Sequence, residues 1–307
     1  MLKHHCGKGG DRVLNRKILC ERIFAVIIYS FVIVCCVAAL YPLVYTFSMS
    51  ISSPIHAAQN DIFLFPKGFS TQAYKLVFED KEIWHTYYNT IWYTTVGTTI
   101  SVVLTIISAY PLSRPNFFLR KKLMMFVLFT MYFSGGLIPQ FLLINNLGLY
   151  NSRWACILPY AISAWNLIVC RSFFESIPES IEEAAKIDGA SQYKILFKIF
   201  VPLSMPIIAV MILFYAVGQW NAYFAAMLYL PNDDLHPIQL YLRKVLILSN
   251  VQSSMSGAST MGGFERSLAT QQLKYAVIIV AVLPILIVYP YLQKYFVKGV
   301  MIGSIKG

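Results

Sequence analysis

Residues 177–202 read IPESIEEAAKIDGASQYKILFKIFVP and form a long polar segment between two apolar runs that lack charge. Pro178 suits the first turn of a helix, and Gly189 suits a helix end in the left-handed conformation. Three carboxylates lie near the start, where a helix N-terminus favours negative charge: Glu179, Glu182 and Glu183. The segment therefore predicts a short helix from about Pro178 to Asp188.

One side of this predicted helix carries small side chains. The spacing i, i+3, i+4 and i+7 places four residues there: Ile181, Ala184, Ala185 and Asp188. Small side chains let another backbone approach closely. After Gly189, Ser191 suits the N-cap of a second helix, which becomes fully apolar at Ile199. The stretch is thus predicted to form a helix-turn-helix elbow exposed at a membrane surface.

The composition is that of an integral membrane protein. The 307 residues are 57% hydrophobic and 13% charged, and the mean hydropathy is +0.60. The net charge of +11 does not indicate nucleic-acid binding, because the basic residues recur between apolar runs instead of forming one patch interleaved with aromatic residues.

Intervals without Asp, Glu, Lys or Arg locate the membrane spans, because charged side chains are costly in hydrocarbon. Six such intervals approach or exceed the length of about 20 residues that a helix needs to cross. They are 23–60, 83–113, 123–152, 154–170, 199–232 and 275–293. A further interval, 245–264, is rich in serine and glycine and is predicted to be a loop. The fold is predicted to be all-α, with six transmembrane helices.

The distribution of basic residues predicts the orientation. With six crossings, 17 of the 25 Lys and Arg residues lie on one side, which the positive-inside rule assigns to the cytosol. That side includes both termini and the elbow. The apolar run after residue 22 is too long for a cleaved signal peptide, so it is predicted to be a retained first helix.

Amide and aromatic side chains cluster inside two predicted spans. Residues 219–223 read Gln219-Trp220-Asn221-Ala222-Tyr223, and Asn166 lies in the preceding span. Amides hydrogen-bond hydroxyl groups and aromatic faces stack on sugar rings, so these residues are candidates for a sugar path. The alternative is structural, because a buried amide also bonds a neighbouring helix simply to be satisfied.

Catalytic and metal-binding patterns are absent from the sequence. It contains no G-x-x-x-x-G-K-[ST] phosphate loop, no His-Glu-x-x-His and no Gly-x-Ser-x-Gly. The six cysteines form no C-x-x-C or Cys/His cluster. We therefore expect no catalytic residue, no cofactor site and no metal site in this chain, and any ATP that drives it must bind elsewhere.

The elbow closely resembles the loop of bacterial ABC import permeases that docks into the ATPase subunit. Its matching positions are Glu183-Ala184-Ala185, Gly189, Ile199 and Pro202, with Val201 where the family has leucine. Further landmarks are similar to maltose-type carbohydrate importers, specifically the subfamily for oligosaccharide and polysaccharide uptake. They include Asn89-Thr90, Ala109-Tyr110-Pro111-Leu112-Ser113-Arg114, Leu147-Gly148-Leu149, Trp220-Asn221, Pro237-Ile238-Gln239-Leu240 and the C-terminal tail.

The resemblance implies a type I ABC importer permease in a bacterial cell membrane. Its domains are then a cytosolic segment 1–22, a first helix and outer loop 23–83, a permease domain 84–293 and a cytosolic tail 294–307. It also implies a heterodimer with a second permease, two ATPase subunits that bind ATP and Mg²⁺, and an extracellular binding protein that delivers an oligosaccharide. The ATPase-coupling residues are then Glu183, Ala184, Ala185, Asp188, Gly189, Ile199 and Pro202.

Other functions stay open from the residues alone. The chain is compatible with import of another solute, such as a polyamine or phosphate, although spans without acidic residues disfavour a polycation. A membrane scaffold that moves nothing is an alternative from a different class. The loop between the fifth and sixth spans is either slack or a docking site for the binding protein.

Overall fold

The computed structural model of the chain describes residues 8–59, 61–255 and 272–290. All regular elements in these ranges are helices, in agreement with the predicted class. The predicted tail 294–307 lies outside the described residues, as do residues 1–7 and residues 256–271 of the long loop. The cytosolic placement of both termini therefore stays a prediction.

The described ranges contain fourteen α-helices. They are α1 (Lys8–Ile51), α2 (Pro54–Gln59), α3 (Gln72–Glu79), α4 (Lys81–Ser113), α5 (Arg120–Tyr132), α6 (Leu137–Asn146), α7 (Ala164–Glu175), α8 (Glu179–Ile187), α9 (Gln192–Ile195), α10 (Val201–Leu203), α11 (Met205–Asn221), α12 (Phe224–Tyr229), α13 (Ile238–Met255) and α14 (Gln272–Pro290). Turns of 3₁₀ helix lie at Arg153–Cys156, Leu158–Tyr160 and Asp233–Leu235, and a π-helical turn lies at Leu196–Phe200.

By length and composition, the described helices allow up to six membrane crossings when each bent pair of helices is counted as one span. Three helices are long and apolar enough to cross alone: residues Glu21–Ile51 of α1, α4 and α14. Three further spans are bent pairs: α5 with α6, the first two 3₁₀ turns with α7, and the segment Gln192–Leu203 with α11. Each pair overlaps one of the predicted charge-free intervals.

The sharpest breaks have local causes. Helices α5 and α6 meet at 115°, where Gly136 has a φ of +89° and Pro139 follows in the first turn of α6. Glycine permits the left-handed backbone at this break, and kinks of this size are typical of glycine and proline positions. Helix α11 starts at 83° to the segment before it, just after Ser204. Pro202 and Pro206 flank this break, and neither ring nitrogen can donate to a continuing helix.

Helix α4 is the centre of the bundle. It contains 33 residues and is therefore about 50 Å long. One face packs against α7 and α11, and Ile195 and Phe200 of the elbow complete the same core. The buried residues from the three helices include Val102, Ile106 and Ala109 of α4, Leu167 and Phe174 of α7, and Ile207 and Met211 of α11. In a membrane such contacts stabilise mainly through close van der Waals packing.

A single hydroxyl group links these three helices in the buried interior. The Tyr215 hydroxyl of α11 lies 2.7 Å from Thr105 Oγ1 of α4 and accepts a hydrogen bond of 3.2 Å from the Ser163 backbone N–H before α7. Without Tyr215 both partners lose this hydrogen bond.

The far end of α4, opposite the elbow, holds the segment that leads from α12 into α13. The Asn89 amide donates to the carbonyls of Asp234 (2.7 Å) and His236 (3.1 Å) and accepts from Arg153 (2.7 Å). The Thr90 hydroxyl accepts from the Ile238 N–H at 2.8 Å. The Asn89-Thr90 landmark therefore fixes a long-range connection.

The prediction of a loop over 245–264 is wrong for its first part, because α13 extends to Met255. Three residues at helical spacing, Ile238, Tyr241 and Val245, are buried in a cluster with side chains of α3, α4 and α14. This packing favours a helix where serine and glycine content alone favours a loop.

Two helices present apolar side chains outward. In the most apolar 18-residue window of α1 the buried share is 0%. Phe126, Phe129 and Tyr132 of α5 are also exposed. Both surfaces are suited to lipid or to another membrane subunit.

Replacing Tyr215 by phenylalanine should lower the free energy of unfolding by about 1–3 kcal/mol, because a buried N–H and a buried hydroxyl lose their shared partner. Thermal unfolding of the detergent-purified protein measures this. The control is Tyr132→Phe, since the Tyr132 side chain is 79% exposed. Equal melting temperatures for the two variants would contradict the bridging role.

Candidate functional site

The elbow, residues 177–203, forms as its local sequence predicts. Helix α8 spans Glu179–Ile187 and ends at Gly189, which has a φ of +72°. The Gly189 and Ala190 backbone N–H groups donate to the carbonyls of Lys186 and Ala185, and these bonds close the helix end. The Ser191 hydroxyl then accepts from the Lys194 N–H and caps α9, as predicted.

The four-residue stripe predicted on α8 is divided between two environments. Ala185 is buried and Ile181 partly buried against the core, whereas Ala184 and Asp188 are exposed. Successive residues differ by about 100° around a helix, so the four span a wide sector. The buried face is instead centred nearer Glu182. Ala185 therefore packs the elbow against the core of its own chain, whereas Ala184 faces outward.

A buried ion pair fixes the elbow to the end of α4. Arg114 Nη1 lies 3.1 Å from Glu182 Oε2, and both side chains are only 9% exposed. The Arg114 guanidinium also donates to the Phe174 carbonyl and lies 4.7 Å from the centre of the Phe200 ring. Lys186 adds a second cation, 2.7 Å from the other Glu182 oxygen.

A second polar contact holds the other half of the elbow. The Tyr110 hydroxyl of α4 donates to Gln192 Oε1 of α9 at 2.9 Å, and the Tyr110 ring packs edge-on against Phe200. Sequence analysis missed these partners of Arg114 and Tyr110. Both residues lie in a recognised landmark, but their partners are 68 and 82 positions away.

The outer face of the elbow is apolar at its tip. Ile187 is 87% exposed and Tyr193 is 77% exposed, on either side of the Gly189 turn. Neither Ile187 nor Tyr193 is among the predicted coupling residues. Of those, Glu183, Asp188 and Pro202 are exposed and Ile199 packs partly on the core. An apolar pair of this kind on a protruding turn is suited to a protein partner.

Four of the five predicted path residues line one cavity, here called the polar cavity. It has a volume of about 610 Å³ and lies between α11 and the segment that includes the start of α7. The lining residues include Asn166, Gln219, Asn221 and Tyr223. The chain leaves the helix at Ala222, where the backbone is extended, and this turns Tyr223 towards the same cavity.

The fifth candidate, Trp220, does not line the polar cavity, and its contacts fit the structural alternative. Its indole N–H donates to the Ala281 carbonyl of α14 at 3.1 Å, and its ring packs edge-on against Tyr87. It is adjacent to Gln219 in sequence and so points about 100° away around α11. Trp220 packs α11 against its neighbours.

The polar cavity is uncharged. Its described lining contains no Asp, Glu, Lys or Arg, only amides, hydroxyls, aromatic rings and small or apolar groups. Gly97 of α4 lies behind Gln219, where an added Cβ would come within 3.0 Å of the Gln219 amide. Such a surface can form hydrogen bonds with neutral hydroxyl groups.

Comparison with known proteins covers most of the chain. Residues 93–302 match the family described as "Binding-protein-dependent transport system inner membrane component". The chain is 42% identical over 287 residues to the polygalacturonan/rhamnogalacturonan transport system permease protein YtcP of Bacillus subtilis (strain 168), which covers 94% of this chain and 99% of that protein. It is 43% identical over 267 residues to Protein LplC of the same organism, covering 87% and 89%.

A solved structure is similar in fold. It is described as a bacterial ABC transporter involved in the import of the acidic polysaccharide alginate. The TM-score is 0.80 at 36% sequence identity, and the match covers 90% of this chain and 97% of that chain.

Replacing Arg114 by glutamine should loosen the elbow, because breaking a buried ion pair at one partner typically costs about 3–5 kcal/mol. Amide hydrogen exchange over residues 179–190 should accelerate. The double variant Arg114→Gln with Glu182→Gln should exchange more slowly than Arg114→Gln alone, since it also removes the buried Glu182 charge, which would otherwise keep only the partly exposed Lys186 as a partner. Lys186→Gln, at a side chain 42% exposed, serves as the control and should change exchange little. Exchange in Arg114→Gln that matches this control would contradict the anchoring role.

Proposed function

Because this chain belongs to the binding-protein-dependent transport system inner membrane component family, we propose that its elbow carries the motion of a separate ATPase to a sugar path inside the helix bundle. The chain is the permease subunit of an ABC sugar importer and not an enzyme. It is a multi-pass membrane protein that works with a solute-binding protein and an ATPase.

The observation that carries the proposal is the double character of the elbow. One face is held on α4 by Arg114 and Tyr110, while the tip presents Ile187 and Tyr193 outward. A lever needs both properties, a rigid attachment to the moving part and a surface for the driving part. In the proposed complex the tip lies in a groove of the ATPase, on the cytosolic side.

The elbow leads directly into the wall of the polar cavity. Helix α9, the π-helical turn and α10 run without a gap to Ser204, where α11 begins. Helix α11 supplies Gln219 and Asn221, and Asn166 of α7 lines the same cavity. Displacement of the elbow therefore changes the separation of α11 and α7. We propose that this change alternately opens the path to the two sides of the membrane.

The energy for this movement is proposed to come from ATP and Mg²⁺ bound by the partner ATPase. Binding of ATP draws two ATPase subunits together and turns the path outward, where it receives an oligosaccharide from the extracellular binding protein. Hydrolysis lets the path reopen inward. In this cycle the elbow couples the ATPase to the permease through Glu183, Ala184 and Gly189. These residues take no part in ATP hydrolysis.

The proposed cargo is an oligosaccharide. Because the polar cavity is uncharged, a charged group on this sugar would be recognised outside it. The amides of Asn166 and Gln219 suit sugar hydroxyls, and the Tyr223 ring suits a sugar face. Polygalacturonan, which occurs in the name of one relative, is a polymer of galacturonic acid, and alginate is described as acidic. We propose a pectin-like or otherwise uronate-containing oligosaccharide.

The proposed assembly is a heterodimer with a second permease and two ATPase subunits. The exposed apolar faces of α1 and α5 supply surfaces for the partner permease and for lipid.

Purification of the chain with its ATPase and reconstitution with its binding protein tests the proposal. ATP hydrolysis should rise, and sugar should accumulate, when the binding protein carries an oligosaccharide. An ATP hydrolysis rate that does not change when the loaded binding protein is added would favour a scaffold function. A rate that rises only when the binding protein carries a polyamine or phosphate would indicate another cargo.

Replacing Gly189 by valine should reduce sugar uptake per ATP hydrolysed. Gly189 has a φ of +72° and no atom near its would-be Cβ, so the cost of about 1–2 kcal/mol comes from the left-handed backbone and not from crowding. Gly189→Asn should retain most coupling, since asparagine tolerates this conformation. Uptake and hydrolysis measured in parallel give the ratio. Normal assembly and normal coupling in the valine variant would refute the lever.

Replacing Ile187 by aspartate should abolish or strongly weaken co-purification of the ATPase, because a charge then occupies the apolar tip. The matched control is Phe65→Asp, at a ring that is 76% exposed on the loop between α2 and α3. This control should retain the ATPase. Equal ATPase recovery with Ile187→Asp and the unmodified chain would show that the tip is not the docking surface.

A further inference from the structure

A second cavity, here called the basic vestibule, lies between α12 and α13 and has a volume of about 500 Å³. Its lining includes Arg243, Lys244 and His236. It adjoins the polar cavity at one point. Tyr223 lines the polar cavity, and the guanidinium carbon of Arg243 lies 5.3 Å from the centre of the Tyr223 ring.

The basic vestibule is at the end of the bundle opposite the elbow. Tyr241 of α13 donates to Asp80 at 2.6 Å and Lys244 bonds Glu82 at 3.1 Å, both at the start of α4. Arg114, which holds the elbow, follows the last residue of the same helix, about 50 Å away. If the elbow is cytosolic, as proposed, the vestibule lies on the outer side, where cargo arrives.

The cations of the vestibule differ in how they are neutralised. Lys244 is paired with Glu82 and lies 3.6 Å from Asp233, and its hydrogen bond to Glu82 raises the pKa of the Lys244 ammonium. His236 is engaged through both ring nitrogens, with the Leu230 carbonyl and Asp233. Arg243 contacts the Tyr223 ring and the Met227 sulfur, and within the described residues it has no carboxylate partner.

We propose that the basic vestibule is an entry subsite for an acidic saccharide, in which Arg243 binds a uronate carboxylate and Tyr223 contacts the attached sugar ring. A guanidinium matches a carboxylate with two parallel hydrogen bonds. A guanidinium beside a cavity that has no carboxylate partner in the described part of the chain is suited to that role. The inference deepens the proposed function and rests on it. Because the polar cavity carries no charge, the vestibule is where the described part of this chain distinguishes acidic from neutral sugars.

The test uses the complete transporter in proteoliposomes and two probes with the same sugar chain, one charged and one uncharged. These are trigalacturonate and its fully methyl-esterified form, in which each carboxylate is replaced by an uncharged methyl ester on the same sugar chain. Each is supplied with the binding protein and ATP. Arg243→Gln should lower the uptake kcat/KM for trigalacturonate at least about tenfold, as expected for loss of a charged hydrogen-bond pair, and should leave uptake of the ester unchanged. Arg243→Lys should give an intermediate kcat/KM for trigalacturonate, because lysine keeps the positive charge but cannot form the two parallel hydrogen bonds of a guanidinium.

Lys274→Gln is the matched control. Lys274 also lies over an aromatic ring, 5.0 Å from the centre of Tyr275, but lines neither cavity. It should not change the preference between the probes. Equal losses for both probes in Arg243→Gln would assign Arg243 a structural role, and unchanged trigalacturonate uptake would refute the subsite. Preference of the unmodified complex for the ester would also refute it. ATP-dependent uptake of neither probe by the unmodified complex would instead contradict the proposed sugar path.

Discussion

The buried pair of Arg114 and Glu182 is the contact that makes the elbow part of the helix bundle. Charges removed from water are tolerated only when paired in good geometry, so this contact has few alternative arrangements. It sets α8 against the end of α4 and brings the Arg114 guanidinium over Phe200, at the base of the segment that leads to α11. A surface loop without such an anchor would bend when a partner protein moved against it, and the movement would not reach the helix bundle.

Helix α4 connects the two ends of the molecule through a face with few strong polar contacts. Thr94, Thr98 and Ser101 have buried hydroxyls without a partner among the described residues, whereas Thr105 is bonded to Tyr215. Gly97 gives Gln219 room to lie close to α4. Few fixed bonds and small side chains lower the barrier to sliding of one helix along another. The strongest attachments are at the ends of α4 and at Tyr215.

The sequence predicted what depends on local chemistry. The cap at Ser191 and the turn at Gly189 follow from their own residues, and the spans follow from the cost of charge in hydrocarbon. Local patterns did not indicate contacts between residues that lie far apart in the sequence. Glu182 pairs across 68 positions, Trp220 turns towards α14, and α13 continues beyond Leu248 because its earlier residues pack against other helices. The buried side of α8 also depends on contacts that periodicity alone does not identify.

The division between an uncharged cavity and a basic vestibule fits the physical needs of moving a charged sugar. A cation within the membrane-embedded part would be costly and would hold a carboxylate too firmly for release. Neutral amides such as Asn166 and Gln219 offer weaker, exchangeable hydrogen bonds to hydroxyl groups. A cation at the entrance, next to Tyr223, selects the charge before the sugar enters. Different residues then select the charge of the sugar and let the sugar pass. A substitution at one set of residues can therefore alter charge selection without blocking transport.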